Sequence, residues 1–412
     1  MTVWRRYRLK DICTYIGSGT TPKSSNSKYY DNGTYYWINT GDLNNGVVSS
    51  SKQQISDFAL KDYPTLRFYP KGTIIEAMYG ATIGKVGMLG MDATVNQACC
   101  AMVIDRNKAI PNFVLYYLVY YKPQLIKESF GGTQPNVNQF KVSNIVICIP
   151  PLETQQKIIT YLDTKLSEID HQVSLLTSKR DAYLRLKKSI INHVVTHGLN
   201  SNVKMKDSGI EWIGEVPEHW EVKRLKNVVE CNAKSLGENT PKDSIIKYVE
   251  ISDVDHVHGI NNIQSLMFGE APSRARRITQ KGDIIISTVR TYLKAIAKIE
   301  DDDIIVSTGF AVLHPTKCNG EYLAYYILSE SFINRVEMLS KGTSYPAINA
   351  SDLVSINVLI PPLPEQCAIA TYLDDKCAKI DTIVSNLDKQ ISRYGDLKRS
   401  LIDEVITGKR AV

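Results

Sequence analysis

The sequence has no apolar run of the ~18 residues needed to cross a bilayer. Its first residues are basic, but no apolar segment follows them, so we expect no signal peptide, no membrane association and a cytoplasmic protein. None of the eight scattered cysteines forms a CxxC pair. We therefore expect reduced thiols, several of them buried in the core, rather than disulfides or a zinc site.

Complete catalytic motifs are also lacking. No GxGxxG opens a helix, so no dinucleotide-binding fold is indicated. GATIGK at 80–85 resembles a phosphate-binding loop, but Tyr79 replaces the first glycine and Val86 replaces the magnesium ligand. IPPL, at 149–152 and 360–363, differs from the [DNS]PP[YFW] loop of amino-methyltransferases, because Ile and Leu can neither bond the target amine nor stack a flipped base.

Two acidic segments contain residue types that occur in metal or nuclease sites. DVDHVHG at 253–259 fits no zinc spacing, and we interpret it as a solvated loop. EVK at 221–223, with Asp207 upstream, could end a nuclease set, but such triplets are common by chance. We therefore predict no catalytic residue and no metal ligand on this chain.

The length allows two or three domains, and 43% hydrophobic with 22% charged residues is ordinary for a globular protein. A net charge of +6 permits a polyanionic partner without identifying one.

The chain contains one unit twice. IPPLETQQKIITYLDTKLSEID at 149–170 returns at 360–381 with 13 of 22 positions identical. Upstream, WRRYRLKDI at 4–12 corresponds to WEVKRLKNV at 220–228, and PKGTIIEA at 70–77 to QKGDIIIS at 280–287. Each copy runs from a globular region through a loop, GTQPNVN or GTSYPAIN, to a short strand, Pro-Pro and a long helix.

The globular regions are predicted to be mixed α/β, with buried strands in GTIIEAM, CCAMVI, GDIIIST and IIVSTGFAVL. Helices are predicted for PNFVLYYLVYYKPQLIKES and GEYLAYYILSESFINRVEML. HGLNSNVKMKDSGIEWIGEVPEHW at 197–220 is predicted to be an exposed connector, pinned by Trp212, Ile213 and Trp220.

Each Pro-Pro marks the sharp start of a helix of ~40 residues with a heptad seam. The seam is interrupted by Arg180 and Lys187, and Lys398 repeats the second interruption. A dimerisation coiled coil or a long bundle helix is the alternative, but the duplication favours an intramolecular antiparallel pair. The first seam comprises Ile159, Leu162, Leu166, Ile169, Val173, Leu176, Tyr183, Ile190 and Val194, and its second copy lies 211 residues further on.

The predicted fold class is α+β: two mixed α/β recognition domains separated by two long antiparallel coiled-coil helices, in a tandem duplication with pseudo-two-fold symmetry. The predicted boundaries are 1–149 for the first domain, 150–198 for the first helix, 199–219 for the connector, 220–360 for the second domain and 361–412 for the second helix.

Basic and amide side chains suited to phosphates and base edges recur in both copies. An exposed charged face and ordinary turn chemistry remain the alternatives. The candidates in the first copy are Lys23, Lys28, Tyr79, Thr82, Lys85, Thr133, Gln134, Asn136 and Asn138. Those in the second are Arg274, Arg276, Arg277, Lys281, Arg290, Tyr292, Lys294, Thr343, Ser344, Tyr345 and Asn349.

The order SGTTP, WINTGDL, KGTIIEAMYGATIGKVG, NQACCAM, GGTQPNVN and IPPL…YLD…ID, largely repeated, resembles the specificity (S) subunit of type I restriction–modification systems over essentially the entire chain. The resemblance implies a non-catalytic subunit whose two domains each read half of a bipartite site in double-stranded DNA. Methyltransferase (M) subunits, two being expected, and restriction (R) subunits would dock on it. Those partners, not this chain, would use S-adenosylmethionine, ATP and Mg²⁺.

The resemblance also implies that the paired helices form a spacer and the docking surface. The docking and spacer candidates are Pro150, Pro151, Leu152, Gln155, Tyr161, Leu162, Pro361, Pro362, Leu363, Glu365, Gln366, Tyr372 and Leu373.

Two departures from the family pattern matter. Thr154 stands where the second copy has the usual Glu365, and CNAKSLGENTP at 231–241 replaces SGTTP, so the domains are expected to read different half-sequences. A self-contained methyltransferase or nuclease with divergent motifs and a structural coiled-coil protein are the alternatives.

Overall fold

The computed structural model describes residues 4–129 and 136–412. The chain divides into two compact units: unit 1 comprises residues 1–176 and 389–412, and unit 2 comprises residues 177–388. Each unit therefore contains one α/β region together with a segment of both long helices.

Unit 1 contains a five-stranded sheet of order β2-β9-β6-β7-β4, a three-stranded sheet β5-β3-β8 and the pair β1-β10. Its strands are β1 Arg5–Arg8, β2 Cys13–Ser18, β3 Tyr35–Ile38, β4 Val47–Val48, β5 Gln54–Ile55, β6 Ile74–Ala77, β7 Val86–Leu89, β8 Thr94–Val95, β9 Cys99–Ile104 and β10 Val146–Ile149. Its helices are α1 Asp57–Asp62, α2 Pro111–Lys127, α3 Gln139–Ser143 and the first part of α4 Leu152–His197.

Unit 2 contains the four-stranded sheets β14-β23-β20-β21 and β18-β15-β22-β19, with the pairs β11-β12, β13-β24 and β16-β17. Its strands are β11 Met205–Asp207, β12 Glu215–Pro217, β13 Glu221–Arg224, β14 Val229–Cys231, β15 Ile245–Val249, β16 Val254–Asp255, β17 Gly259–Ile260, β18 Gln264–Met267, β19 Ala275–Ile278, β20 Ile284–Ser287, β21 Ile296–Lys298, β22 Ile304–Ser307, β23 Phe310–Pro315 and β24 Asn357–Ile360. Its helices are α5 Gly320–Ile327, α6 Glu330–Leu339, α7 Ala350–Leu353 and the first part of α8 Leu363–Ile406.

One sequence prediction needs correction. The segment 320–339, predicted as one helix, forms α5 and α6, because the Ser329 side chain accepts a hydrogen bond from the Phe332 amide and caps a new helix. The predicted connector contains the β11-β12 hairpin. Its pinning was predicted correctly: Trp220 is buried, and Trp212 and Ile213 pack against the core of unit 2.

The described helices and the cysteines bear on two further expectations. Within residues 4–129 and 136–412, none of the helices combines the length and apolar character that a bilayer crossing requires. All eight cysteines are free thiols, and Cys99, Cys100 and Cys377 are buried, as expected. Burial raises the pKa of the Cys99 thiol to about 12, which keeps it protonated and unreactive.

Candidate nucleic-acid interface

In each unit, a tight turn after a central strand meets the loop that precedes the long helix. In unit 1, the turn 79–85 joins β6 to β7, and loop residues 136–138 lie beside it. Tyr79 and Asn136 form a β-bridge, and the Val137 amide donates to the Met78 carbonyl at 2.8 Å. We call residues 79–85 with 136–138 tip 1.

Unit 2 repeats this arrangement. Val289 bridges Ala347, and the Ile348 amide donates to the Thr288 carbonyl at 2.9 Å. The Thr291 side chain adds a hydrogen bond of 2.8 Å to the Ser340 hydroxyl. We call residues 288–294 with 341–349 tip 2. Two segments predicted separately from the sequence thus come together in each unit.

Tip 1 exposes fewer of the predicted groups than the sequence indicated. Tyr79 is 43% exposed and Asn136 is exposed, so both can reach a ligand. Thr82 donates its hydroxyl to the Tyr79 carbonyl, and the partly buried Lys85 closes the turn through its backbone amide. The Asn138 side chain caps α3 by accepting from the Lys141 amide at 2.9 Å, while the residue stays exposed and its base-reading role stays a prediction. Thr133 and Gln134 lie outside the described residues.

Tip 2 carries most of the exposed recognition chemistry. Tyr292 is 50% exposed and Tyr345 is 65% exposed, and the Arg290 guanidinium lies 4.9 Å from the centroid of the Tyr345 ring. Thr343, Ser344 and Asn349 are also exposed. Lys294 differs, because it is partly buried and its ammonium lies 3.4 Å from the Glu337 carboxylate. A guanidinium beside aromatic rings and hydroxyls suits base edges and phosphates.

The basic side chains of the segment 273–282 have different surroundings. Arg274 is ion-paired with Glu250 at 2.9 Å, and this carboxylate raises the pKa of the Arg274 guanidinium. The Arg276 guanidinium lies 4.7 Å from the centre of the Phe268 ring. Among the described residues, the buried Arg277 Nε has no hydrogen-bond partner.

Position along β20 separates Lys281 from tip 2. Lys281 precedes β20, where its amide donates to the Asp302 carboxylate, whereas tip 2 follows the other end of this strand. Arg274 remains close to tip 2, because its carbonyl accepts from the Thr308 amide, and the adjacent Gly309 carbonyl accepts from Thr288. Lys281 therefore lies apart from tip 2, and its DNA-binding role stays a prediction.

The two early lysines of unit 1 belong to a small subdomain around α1. The Lys28 ammonium lies 2.8 Å from the Asp62 carboxylate, whose hydrogen bond raises the pKa of Lys28. The Tyr29 hydroxyl donates to the same carboxylate at 3.0 Å. Lys23 is exposed, and its backbone amide donates to the Tyr63 hydroxyl. Lys28 is thus held in an internal ion pair, while Lys23 stays accessible.

The predicted docking set divides between buried and exposed residues. Six members are buried in this chain and present no surface to a partner; they are Pro150, Gln155, Leu162, Pro361, Gln366 and Leu373. Pro151, Leu152, Pro362, Leu363 and Tyr372 are exposed, and Tyr161 and Glu365 are half-buried. Only this second group offers surface to a partner, and its docking role stays a prediction.

Two buried glutamines fasten the long helices to their units. The Gln155 side chain accepts from the Ile110 amide and donates to the Pro150 carbonyl, both at 2.8 Å. Gln366 repeats this with the Asn319 amide and the Pro361 carbonyl, both at 2.7 Å. Sequence analysis placed these glutamines among the docking and spacer candidates and missed this role. The sequence did contain a signal for this role, because a glutamine recurs at the same place after both Pro-Pro pairs.

A tyrosine–aspartate hydrogen bond also attaches the long helix to its unit, and it occurs in both units. The Tyr116 hydroxyl donates to Asp163 at 2.5 Å in unit 1, and Tyr325 donates to Asp374 at 2.7 Å in unit 2. Burial and this bond raise the pKa of both phenols, so they stay protonated and able to donate. The bonds hold α2 and α5 to α4 and α8.

Glu365, which has no glutamate counterpart in the first copy, is paired with a nearby histidine. Glu365 lies 2.7 Å from the His219 ring, and His219 immediately precedes the buried Trp220. The corresponding Trp4 is preceded by Val3, which could not bond a carboxylate. Thr154 in place of glutamate is therefore consistent with the missing partner.

Regarding catalysis, within residues 4–129 and 136–412 no group of three His, Cys, Asp or Glu side chains is arranged to hold a metal ion. The predicted solvated loop contains β16 and β17, and the Asp255 carboxylate accepts from the Val257 and His258 amides at 2.7 Å. This carboxylate thus closes its own turn.

Comparison with known proteins agrees with this geometry. The family model for the type I restriction modification DNA specificity domain matches residues 1–175 and again residues 217–393. The specificity subunit of the type I restriction enzyme MjaVIII from Methanocaldococcus jannaschii is 24% identical, covering 98% of this chain and 92% of the relative. The EcoKI specificity subunit from Escherichia coli K12 is 22% identical, covering 76% of this chain and 68% of the relative.

The fold is shared with a solved structure. A chain from work on complex assembly and conformational transition of the type I R-M system has a TM-score of 0.71 at 18% identity. The match covers 98% of this chain and 97% of that chain. The α/β regions and long helices described above are thus a known architecture.

Proposed function

The chain belongs to the type I restriction modification DNA specificity family, and from this membership we propose that it is the sequence-reading subunit of a type I restriction–modification complex. Each unit would read one half of a bipartite DNA site. The observation that carries the proposal is the repeated construction of tip 1 and tip 2 from the same two chain segments.

Affinity for DNA and discrimination between DNA sequences have different physical origins. Exposed cations such as Lys23 attract the duplex through counterion release, which depends on salt and not on sequence. Side chains at the tips would discriminate bases, a good bidentate contact being worth ~1–3 kcal/mol. Because tip 1 presents Tyr79 and Asn136 whereas tip 2 presents Arg290, Tyr292 and Tyr345, the units would read different half-sequences.

We further propose that α4 and α8 form an antiparallel coiled coil with pseudo-two-fold symmetry, which acts as the spacer. Supporting this, Lys398 lies 2.7 Å from Asp170 in unit 1, and Lys187 lies 2.7 Å from Asp381 in unit 2. The two ion pairs are related by the 211-residue offset of the duplication. Each joins an early part of one helix to a late part of the other, as antiparallel pairing requires.

Partners would supply the chemistry. Two methyltransferase subunits would dock near the exposed Pro151–Leu152 and Pro362–Leu363 segments, and restriction subunits would complete an assembly acting in the cytoplasm. S-adenosylmethionine, ATP and Mg²⁺ would be bound by those partners, with no cofactor on this chain. Flipping the target base is likewise assigned to the methyltransferase.

The test is DNA binding by the chain reconstituted with its methyltransferase subunits, measured over randomised sequences and several salt concentrations. We expect one bipartite sequence to bind about 10³-fold or more tightly than random DNA, with affinity falling as salt rises. Equal affinity for all sequences would overturn the proposal. Incubation of the chain alone with labelled S-adenosylmethionine and DNA is the control, and methyl transfer there would show a self-contained enzyme.

A further inference from the structure

Arg290 and Lys294 flank the short 3-10 turn Thr291–Leu293 in tip 2, and both have left-handed backbone conformations. Their φ angles are 51° and 52°. In this region the Cβ atom of an L-residue crowds the following carbonyl oxygen, so residues other than glycine are strained. Such strain persists only where the surrounding structure enforces it, and it often marks a functional group.

Other left-handed residues in the chain have chemistry that tolerates the conformation. Among the described residues, six residues other than glycine have positive φ. Four are asparagine or aspartate, whose short polar side chains reduce the cost: Asn32, Asn45, Asn232 and Asp303. Arg290 and Lys294 are the two exceptions within residues 4–129 and 136–412.

Tip 1 shows that this turn does not require long side chains at either position. Gly80 and Gly84 occupy the equivalent places, with φ of 66° and 67°. The second copy therefore carries two cationic residues where glycine adopts the same backbone without strain. Folding alone does not account for that choice.

The two cations point to different roles. Lys294 is ion-paired with Glu337, and it lines a cavity of about 1040 Å³ within unit 2. Arg290 is exposed, and the described residues form no ion pair with it. Its guanidinium instead faces the ring of Tyr345 at 4.9 Å. Of the two left-handed residues, Arg290 is thus the one whose cation is left available for a ligand at tip 2.

We propose that Arg290 determines specificity at one position of the half-site read by unit 2, by donating two hydrogen bonds to a guanine edge. The inference rests on the proposed function. A strained backbone and an aromatic ring under the guanidinium both restrict its direction. A guanidinium held in one direction matches the O6 and N7 atoms of guanine with two N–H donors, whereas any flexible cation can reach a phosphate.

The experiment compares Arg290→Gly and Arg290→Lys with the wild-type chain, each in complex with its methyltransferase subunits. Binding is measured over a library in which every base pair of the preferred site is varied. We expect Arg290→Gly to lose the preference for one G·C pair in one half-site, with affinity for the preferred site falling about tenfold or more. The other half-site should keep its preferences, and the midpoint of thermal unfolding should not fall.

Arg290→Lys retains the charge and the Cβ atom, so it tests the same position without changing the backbone. We expect it to weaken the G·C preference, because an ammonium lacks the planar fork, while affinity for random DNA stays within about twofold. Asp303→Gly is the matched control, because it places glycine at another left-handed position of unit 2, outside tip 2. It should leave every base preference intact.

Three results separate the possibilities. An unchanged G·C preference in both Arg290 variants would overturn the inference. A uniform loss of affinity for all sequences, with a shallower salt dependence, would show a phosphate contact and would also overturn it. Absence of any sequence preference in the wild-type complex would instead overturn the proposed function itself.

Discussion

Glu76 lies in the centre of strand β6, fully enclosed in the core of unit 1. Its exposure is 1%, and neither carboxyl oxygen has a hydrogen-bond partner among the described residues. Burial raises its pKa to about 8, so the group is neutral at lower pH. Ile286 occupies the corresponding place in β20 of unit 2, which shows that the fold accepts an apolar residue there.

This burial predicts that the stability of unit 1 depends on pH. The folded pKa is above the unfolded value of 4.5, so the contribution is fully present below about pH 4.5 and is lost as pH rises through about 8. Within that window the free energy of unfolding should fall by roughly 1.4 kcal/mol per pH unit on this account. Glu76→Ile should remove this slope, as measured by urea unfolding followed through hydrogen exchange of β6 and β9.

Glu76→Gln is the control, since it keeps the shape and cannot ionise. The nearby titratable groups are Cys100 on β9 and Tyr121 on α2, and both remain in either variant. The prediction fails if the difference in stability between wild type and variants is the same from pH 5 to pH 9.

Residue roles of this kind were only partly predictable. The sequence correctly indicated a buried strand at GTIIEAM, but a strand pattern does not tell whether a lone carboxylate is enclosed or exposed. Asn138 shows a similar limit, because the pattern of a polar loop does not tell that its side chain caps α3. Which atoms a polar side chain meets depends on segments remote in sequence.

At the scale of elements, the two long helices explain the charged residues in their seam. Lys187 and Lys398 break the heptad pattern, yet each lies 2.7 Å from an aspartate on the other long helix. Arg180 similarly lies 3.4 Å from Asp388. The three cationic side chains are partly exposed, between 22% and 37%. Such ion pairs determine which positions of the two helices face each other more than they stabilise the fold.

The spacer role predicts a change in the DNA site when the helices are lengthened. Inserting one heptad after Leu176 and another after Asp388 keeps both seams in phase and adds about 10 Å to each helix. We expect the two half-sequences to stay the same and their separation to grow by about three base pairs. Mapping of methylated sites in cells carrying the altered complex measures both quantities.

An insertion in only one helix serves as the control, because it puts the two seams out of register and should abolish specific binding. Unaltered spacing after the double insertion would show that these helices do not set the separation of the half-sites.

At the scale of the whole chain, each unit is assembled from distant segments. The core of unit 1 joins Leu9 and Phe113 to Val405 and Ile406, which come from the end of α8. In unit 2, Val194 and Val195 of α4 join the core that contains Trp220. Gly408 packs beside Trp4 in the first case, and Gly198 beside Trp220 in the second.

This construction predicts that a substitution near residue 400 weakens the amino-terminal domain. Ile406 is fully buried, so Ile406→Ala should cost about 2–5 kcal/mol through lost burial and the cavity left behind. Hydrogen exchange should become faster in peptides from β9 and α2 of unit 1. Peptides from β20 and α5 should change little.

Val195→Ala is the matched control, since Val195 is fully buried at the equivalent position of the first copy. It should reverse the pattern, with unit 2 losing protection and unit 1 keeping it. Faster exchange confined to unit 2 in Ile406→Ala would contradict this organisation.

The sequence by itself determined the duplication, the positions where both long helices begin and the family of the chain. These follow from local patterns: Pro-Pro restricts the backbone before a helix, and a heptad marks a helix that buries one face. Tertiary structure alone decided that Gln155 and Gln366 hold the long helices to their units and that Arg290 faces Tyr345. Each depends on contacts between residues tens of positions apart, which a local pattern does not encode.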